Sequence, residues 1–219
     1  SESDREQLTK QRDATHAAYM SAAEVVSAAR AKAARRLDKL VAAELAPLML
    51  EKARFRTVLE RLPEAGWSDH GLDRVWFEAA TNEGMEAGPV ARIASGGELA
   101  RFLLALKVVL QQANGVATLV FDEVDSGIGG ATAAAVGERL ARLSNDVQVM
   151  AVTHSPQVAA FGTQHLRVLK NDGKGGVVTA VDELSAPDRR EEIARMLAGA
   201  SVTDEARAAA DSLMAGRTP

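Results

Sequence analysis

The chain has 219 residues, 47% hydrophobic and 26% charged, which suits one or two folded domains and excludes a disordered tail. Its 26 Lys and Arg against 30 Asp and Glu leave a formal charge of −4, so the chain as a whole lacks the positive field of a dedicated nucleic-acid-binding domain and any DNA contact must be local. The absence of cysteine excludes disulfide frameworks, thiolate zinc sites and thiol nucleophiles and fits a reducing compartment such as the cytoplasm, and no apolar run approaches the roughly 20 residues of a membrane-spanning helix.

The chain opens at Ser1 directly in charged helical sequence, as a fragment or processed form would. From Asp4 to Leu45 there is neither Gly nor Pro, and Tyr19, Ala22, Val26, Ala29, Ala33, Leu37 and Leu40 recur at intervals of three and four, close to a coiled-coil period. The spacing predicts a helix of about 60 Å that Pro47 ends. Its seam is rich in Ala, so it calls for a partner strand; the alternative is an amphipathic helix lying on the body. Residues 1–47 are therefore expected to form a coiled-coil arm and residues 48–219 the body. Ser1–Arg61 carries a net charge of +3 and the remainder −7; the Lys32, Arg35, Arg36 and Lys39 group reads either as a solvated helix face or as a contact for phosphates.

Strands are expected over Phe55–Glu60, Arg74–Ala80 and Val90–Ile93, separated by turn-forming stretches and forming an antiparallel sheet. After Ser95 the pattern turns helical, with Leu99, Phe102, Leu103, Leu106 and Leu110 on one side, ending near Asn114-Gly115. The run Thr118-Leu119-Val120-Phe121 reads as a buried parallel strand closed by Asp122-Glu123, Ala131–Leu143 as a helix, and Val147–Thr153 as a second strand ending at His154, together a β-α-β unit. A hairpin over His165–Lys170 and Val177–Val181 follows, then helices over Asp188–Ala198 and Thr203–Met214.

Three short stretches carry chemistry. Ser95-Gly96-Gly97-Glu98 satisfies the capping-box pattern, which by itself needs no function. Its two glycines nevertheless leave backbone N–H groups uncovered at the positive end of a helix, where an anion can approach. Asp122-Glu123 at a strand end reads either as a solvated acidic terminus or as a pair in which the shorter Asp122 takes part in a Mg²⁺ shell and the longer Glu123 orients a water. His154, followed by Ser155-Pro156 as cap and first residue of a helix, lies on the same sheet edge as both acids. No G-x-S-x-G elbow or H-E-x-x-H motif occurs, and His16, His70, His154 and His165 are scattered.

In order and spacing these stretches resemble the ABC-type ATPases. Ser95–Glu98 looks like the signature motif, Thr118–Glu123 like Walker B, Val124-Asp125-Ser126-Gly127 like the D-loop and His154 like the switch histidine. Within that superfamily Ile93–Leu99, Phe121–Ile128, Val152–Ala159 and Arg190–Gly199 are similar to the RecN family, SMC-like ATPases of bacterial DNA double-strand-break repair. Ala100 and Ser126 stand where that family more often has Ser and Thr.

The resemblance implies an α/β fold, the C-terminal half of an ABC-type head with a mixed sheet and flanking helices, joined to a long coiled-coil helix. It also implies ATP and Mg²⁺ as cofactors, Glu123 and His154 as catalytic groups, Asp122 on the Mg²⁺ shell through water, and Ser95, Gly96, Gly97, Glu98 and Asp125 serving the nucleotide held by a facing head. The phosphate-cradling G-x-x-x-x-G-K-[ST] loop is absent from these residues, and in the family it lies in the N-terminal half. The expected partners are accordingly that N-terminal half, a second head and double-stranded DNA ends, with no membrane, in a cytoplasmic, nucleoid-associated setting, and these residues alone are expected to be inactive. The alternatives are another SMC-like chromosome-organising head, or a non-catalytic coiled-coil scaffold.

Overall fold

A computed structural model describes residues 2–90, 96–110, 116–173, 176–199 and 201–216. In keeping with its unbroken run of helix-compatible residues, the N-terminal segment forms one helix, α1 (Glu2–Leu45), of 44 residues, which Pro47 and a 3-10 turn at Ala46–Leu48 bring to an end. The chain divides into two compact units: Ser1–Glu44 with Lys52–Ile93, and Leu45–Glu51 with Ala94–Pro219. The division expected at residue 47 assigned the antiparallel strands to the body, whereas they pack with the helix.

In the first unit, β1 (Arg54–Arg61) pairs antiparallel with β2 (Asp73–Ala80) along its whole length, and β2 pairs with the short β3 (Gly88–Pro89). The strand expected at Val90–Ile93 is thus found two residues earlier; residues 91–93 lie outside the described residues. Polar side chains fasten α1 to this sheet. The Thr57 N–H and hydroxyl both donate to Asp38 Oδ1, at 2.9 and 2.8 Å, and the Ser27 hydroxyl donates to Asp73 Oδ2 at 2.6 Å. Arg30 reaches the His70 carbonyl at 2.7 Å, and Tyr19 stacks on Trp67 with ring centroids 5.7 Å apart. The buried side of α1 therefore runs through Ala23, Ala34, Val41 and Leu45. Ala22, Val26, Ala29, Ala33 and Leu40, five of the seven positions expected to be the packed seam, are exposed. They lie about a quarter turn away around the helix.

In the second unit, α2 (Gly96–Val109) precedes β4 (Thr118–Phe121), α3 (Gly130–Leu143) and β5 (Gln148–Ala151), with β4 and β5 parallel and paired from Thr118↔Gln148 to Phe121↔Ala151. The β-α-β unit read from sequence is present. α2 turns Phe102, Leu104, Ala105 and Leu106 inward, while Leu103, expected on that side, is exposed. The Phe161 ring at the end of α4 (Pro156–Phe161) occupies the space beside Gly137 of α3, where a Cβ would lie 2.4 Å from the ring. A hairpin, β6 (Leu166–Gly173) and β7 (Gly176–Glu183), leads to α5 (Ala186–Ala198) and α6 (Asp204–Ala215). Ile193 and Ala194 of α5 bury against Ala160 and Ala210. The expected mixed sheet takes the form of three separate sheets among the described residues. No helix among those residues is long and apolar enough to cross a membrane.

Candidate active site

The register of β4 and β5 brings the predicted residues together. Phe121 and Ala151 are paired, and the Val152 N–H donates to the Phe121 carbonyl at 2.9 Å, so both strands end at one edge. Asp122 and Glu123 leave β4 there and His154 leaves β5 there, the edge at which open α/β sheets bind ligands. All three side chains are exposed, His154 at 83%.

The loop after β4 is a tight turn. The Ser126 N–H donates to the Glu123 carbonyl at 3.0 Å and the Ile128 N–H to the Asp125 carbonyl at 3.3 Å, while Val124 is fully buried beneath. Glu123 sits at φ 56°, in the left-handed region that costs a residue with a Cβ roughly 1–2 kcal/mol. This turn sends the Glu123 carboxylate towards the start of α2, where Oε2 lies 3.7 Å from the position a Cβ on Gly96 would take. A carboxylate there faces the positive end of the helix.

α2 is held on the same turn. A Cβ on Gly97 would lie 3.1 Å from the Ser126 carbonyl oxygen, so glycine permits the close approach. The buried Arg101 donates from Nη1 to that same carbonyl at 3.1 Å; burial holds its guanidinium below the ordinary arginine value, against the pull of Glu98. Sequence reading passed over Arg101, although a signal existed: it falls on the Gly97, Leu104, Val108 stripe, where an arginine needs an internal acceptor. Ser95, the first residue of the expected signature, lies outside the described residues.

Asp125, expected to serve the nucleotide of a facing head, is 1% exposed within this chain and turned inward. Its Oδ2 accepts the Thr153 hydroxyl and, at 3.2 Å, the Ser155 N–H, and lies 4.0 Å from His154 Nδ1. The Ser155 N–H also reaches the Thr153 hydroxyl oxygen at 2.9 Å, and the Ser155 side chain accepts from the Val158 N–H as the cap of α4. Thr153 is the second residue that sequence reading did not single out.

Among the described residues no three His, Cys, Asp or Glu side chains gather into an all-protein metal cage. One exposed strand-end carboxylate, Asp122, fits the way Mg²⁺ is held when phosphates and waters supply its other ligands.

No family model matches the chain. It is 38% identical over 207 residues to the DNA repair protein RecN of Vibrio cholerae, a match that covers 94% of this chain and 37% of that protein. It is 43% identical over 207 residues to RecN of Mycobacterium leprae, covering 86% of this chain and 35% of the relative. The chain thus spans little more than a third of the length of these curated relatives. Among solved structures it is similar to the Smc head domain with a coiled coil and joint from Pyrococcus yayanosii, with TM-score 0.62 and 21% identity over 88% of this chain and 35% of that one. The Smc head domain of Pyrococcus furiosus, with an extended coiled coil and bound to the C-terminal domain of ScpA, aligns with TM-score 0.58 and 21% identity over 90% of this chain and 46% of that one. The fold is that of an SMC-type head with its coiled-coil helix.

Proposed function

This chain matches the C-terminal part of the RecN proteins, and from that premise we propose that it is the C-terminal half of an SMC-like ATPase head acting in DNA double-strand-break repair. The observation that carries the proposal is the joint placement of Asp122, Glu123 and His154 at the ends of two paired parallel strands, beside the glycine start of α2.

In this reading the N-terminal half supplies the missing phosphate loop. Parallel strands are normally covered on both faces, yet Val120, Met150 and Val152 are 66%, 47% and 61% exposed. A β4–β5 pair with open apolar side chains suits completion by further head residues. Glu123 orients the attacking water and accepts its proton, and His154 contacts the γ-phosphate. Asp122 holds the water shell of Mg²⁺, which when bound neutralises phosphate charge. Ser95, Gly96, Gly97 and Glu98 present the start of α2 to the nucleotide of a facing head, so that ATP joins two heads and hydrolysis releases them.

For DNA, the supporting surface is the side of α1 carrying Lys32, Arg35, Arg36 and Lys39. All four are exposed and none has an ion pair among the described residues, whereas Arg30 and Arg61 are paired. The same side continues through Ser21, Val25, Ala28 and Ala43 without a carboxylate, and that is a surface suited to phosphates.

The test is steady-state ATP hydrolysis by the full-length protein against Glu123→Gln. Loss of a positioned general base is expected to lower turnover by about 10²–10⁴-fold with nucleotide binding retained. Undiminished turnover would sink the reading.

A further inference from the structure

Resting on the nucleotide-site reading above, we propose that Asp125 is a positioning residue that fixes the His154 loop from within the same chain. A carboxylate withdrawn from water is costly unless donors replace the lost hydration. Here the donors all come from one segment: Oδ2 accepts both the Thr153 hydroxyl and the Ser155 N–H, the residues on either side of His154. The histidine is thus suspended between two anchored neighbours, with its own side chain projecting outward. On its downstream side the anchor continues into α4, because Ser155 caps that helix and Val158 and Ala160 are buried.

The same turn is gripped from its other end. Ser126, adjacent to Asp125, accepts from Arg101 of α2 through its carbonyl. The residues from Glu123 to Ser126 therefore link the start of α2 to the His154 loop, so that the acid pair, the glycine helix start and the histidine keep a fixed spacing. Asp125 Oδ1 has no hydrogen-bond partner among the described residues, so only one of its oxygens is used for this anchoring.

The experiment uses the full-length protein and two readouts, hydrogen–deuterium exchange of peptides spanning residues 152–158 and steady-state ATP kinetics. In Asp125→Ala, exchange in 152–158 is expected to rise about tenfold or more while peptides from α3 keep their protection. Its kcat is expected to fall about tenfold or more with KM for ATP held within about threefold, since the loss is one of alignment rather than of nucleotide binding. Asp125→Asn, whose amide oxygen accepts the same two bonds, should retain slow exchange and most of the turnover. Thr153→Ser should match the parent, and Thr153→Val should follow Asp125→Ala; this pair carries the test should Asp125→Ala fail to fold. Unchanged exchange in Asp125→Ala overturns the proposal, as does an Asn variant that keeps slow exchange yet loses turnover as fully as Ala. A parent protein without ATP turnover would refute the nucleotide-site reading, with the exchange data alone then deciding the anchoring by Asp125.

Discussion

Gly97 of α2 rests on Ser126 so closely that a methyl group at position 97 would lie 3.1 Å from the Ser126 carbonyl oxygen and 3.3 Å from its Cβ. Gly96, one residue earlier, has only the Glu123 carboxylate nearby among the described residues, at 3.7 Å. Gly97→Ala is therefore expected to destabilise the protein by about 1–2 kcal/mol, despite alanine's better helix propensity, and Gly96→Ala to stay within about 0.5 kcal/mol of the parent. Thermal denaturation of the two variants checks the contrast, and equal stabilities would show that α2 does not depend on this approach.

The left-handed backbone of Glu123 sets stability against activity at a single residue. Glu123→Gln keeps the strain, whereas Glu123→Gly relieves it, so the glycine variant should melt about 2–4 °C higher than the glutamine variant. Both should lack turnover. A glycine variant no more stable than the glutamine variant would mean that the turn imposes no cost.

Much of this was legible because apolar period and turn residues encode it. Thr118–Phe121 followed by two acids marked the parallel strand and the edge at which both acids leave it, and Ser155-Pro156 marked the start of α4 at the correct residues. The packed side of α1 was not legible. Three of its anchoring groups are Ser27, Arg30 and Asp38, polar residues that periodicity assigns to solvent, and their partners lie 19–46 residues further along the chain. Nor can a local pattern tell an inward aspartate from an outward one. Asp125 sits in a polar, glycine-rich loop, and only the return of Thr153 and Ser155 to the same edge buries it.

If the basic side of α1 meets DNA, its contribution is electrostatic and should be visible in the salt dependence of binding. Replacing Lys32, Arg35, Arg36 and Lys39 by Ala in the full-length protein should make the slope of log Kobs against log salt shallower by about 0.9 per lost phosphate contact. Arg190→Ala, which removes a cation already paired with Asp211 at 2.6 Å, serves as control. Duplex-binding titrations at several salt concentrations measure both, and matching slopes would assign the four cations to solvation alone.

The pH dependence of stability should carry a contribution from Glu192 of α5. The side-chain hydrogen bonds from Arg195, at 2.6 and 3.0 Å, hold its buried carboxyl below the ordinary glutamate value. With the folded value below the unfolded one, the stabilisation is present above the ordinary carboxylate range and is lost as pH falls through the folded value. Glu192→Gln should thus cost about 1 kcal/mol at pH 7. The cost should shrink as pH drops below the ordinary range; a difference independent of pH would assign it to packing.

The anchors of α1 begin where the rings of His16 and Tyr19 meet Trp67, and every residue from Glu2 to Ala18 is exposed. A free peptide of that length is only marginally helical in water, because the first turn costs more than it returns. Here the sheet-bound stretch acts as the nucleus, and each residue of the overhang is added by elongation alone. Untying Asp38 or Asp73 would thus fray helix beyond the anchor itself, and circular dichroism would register it as a loss of helix in the exposed overhang.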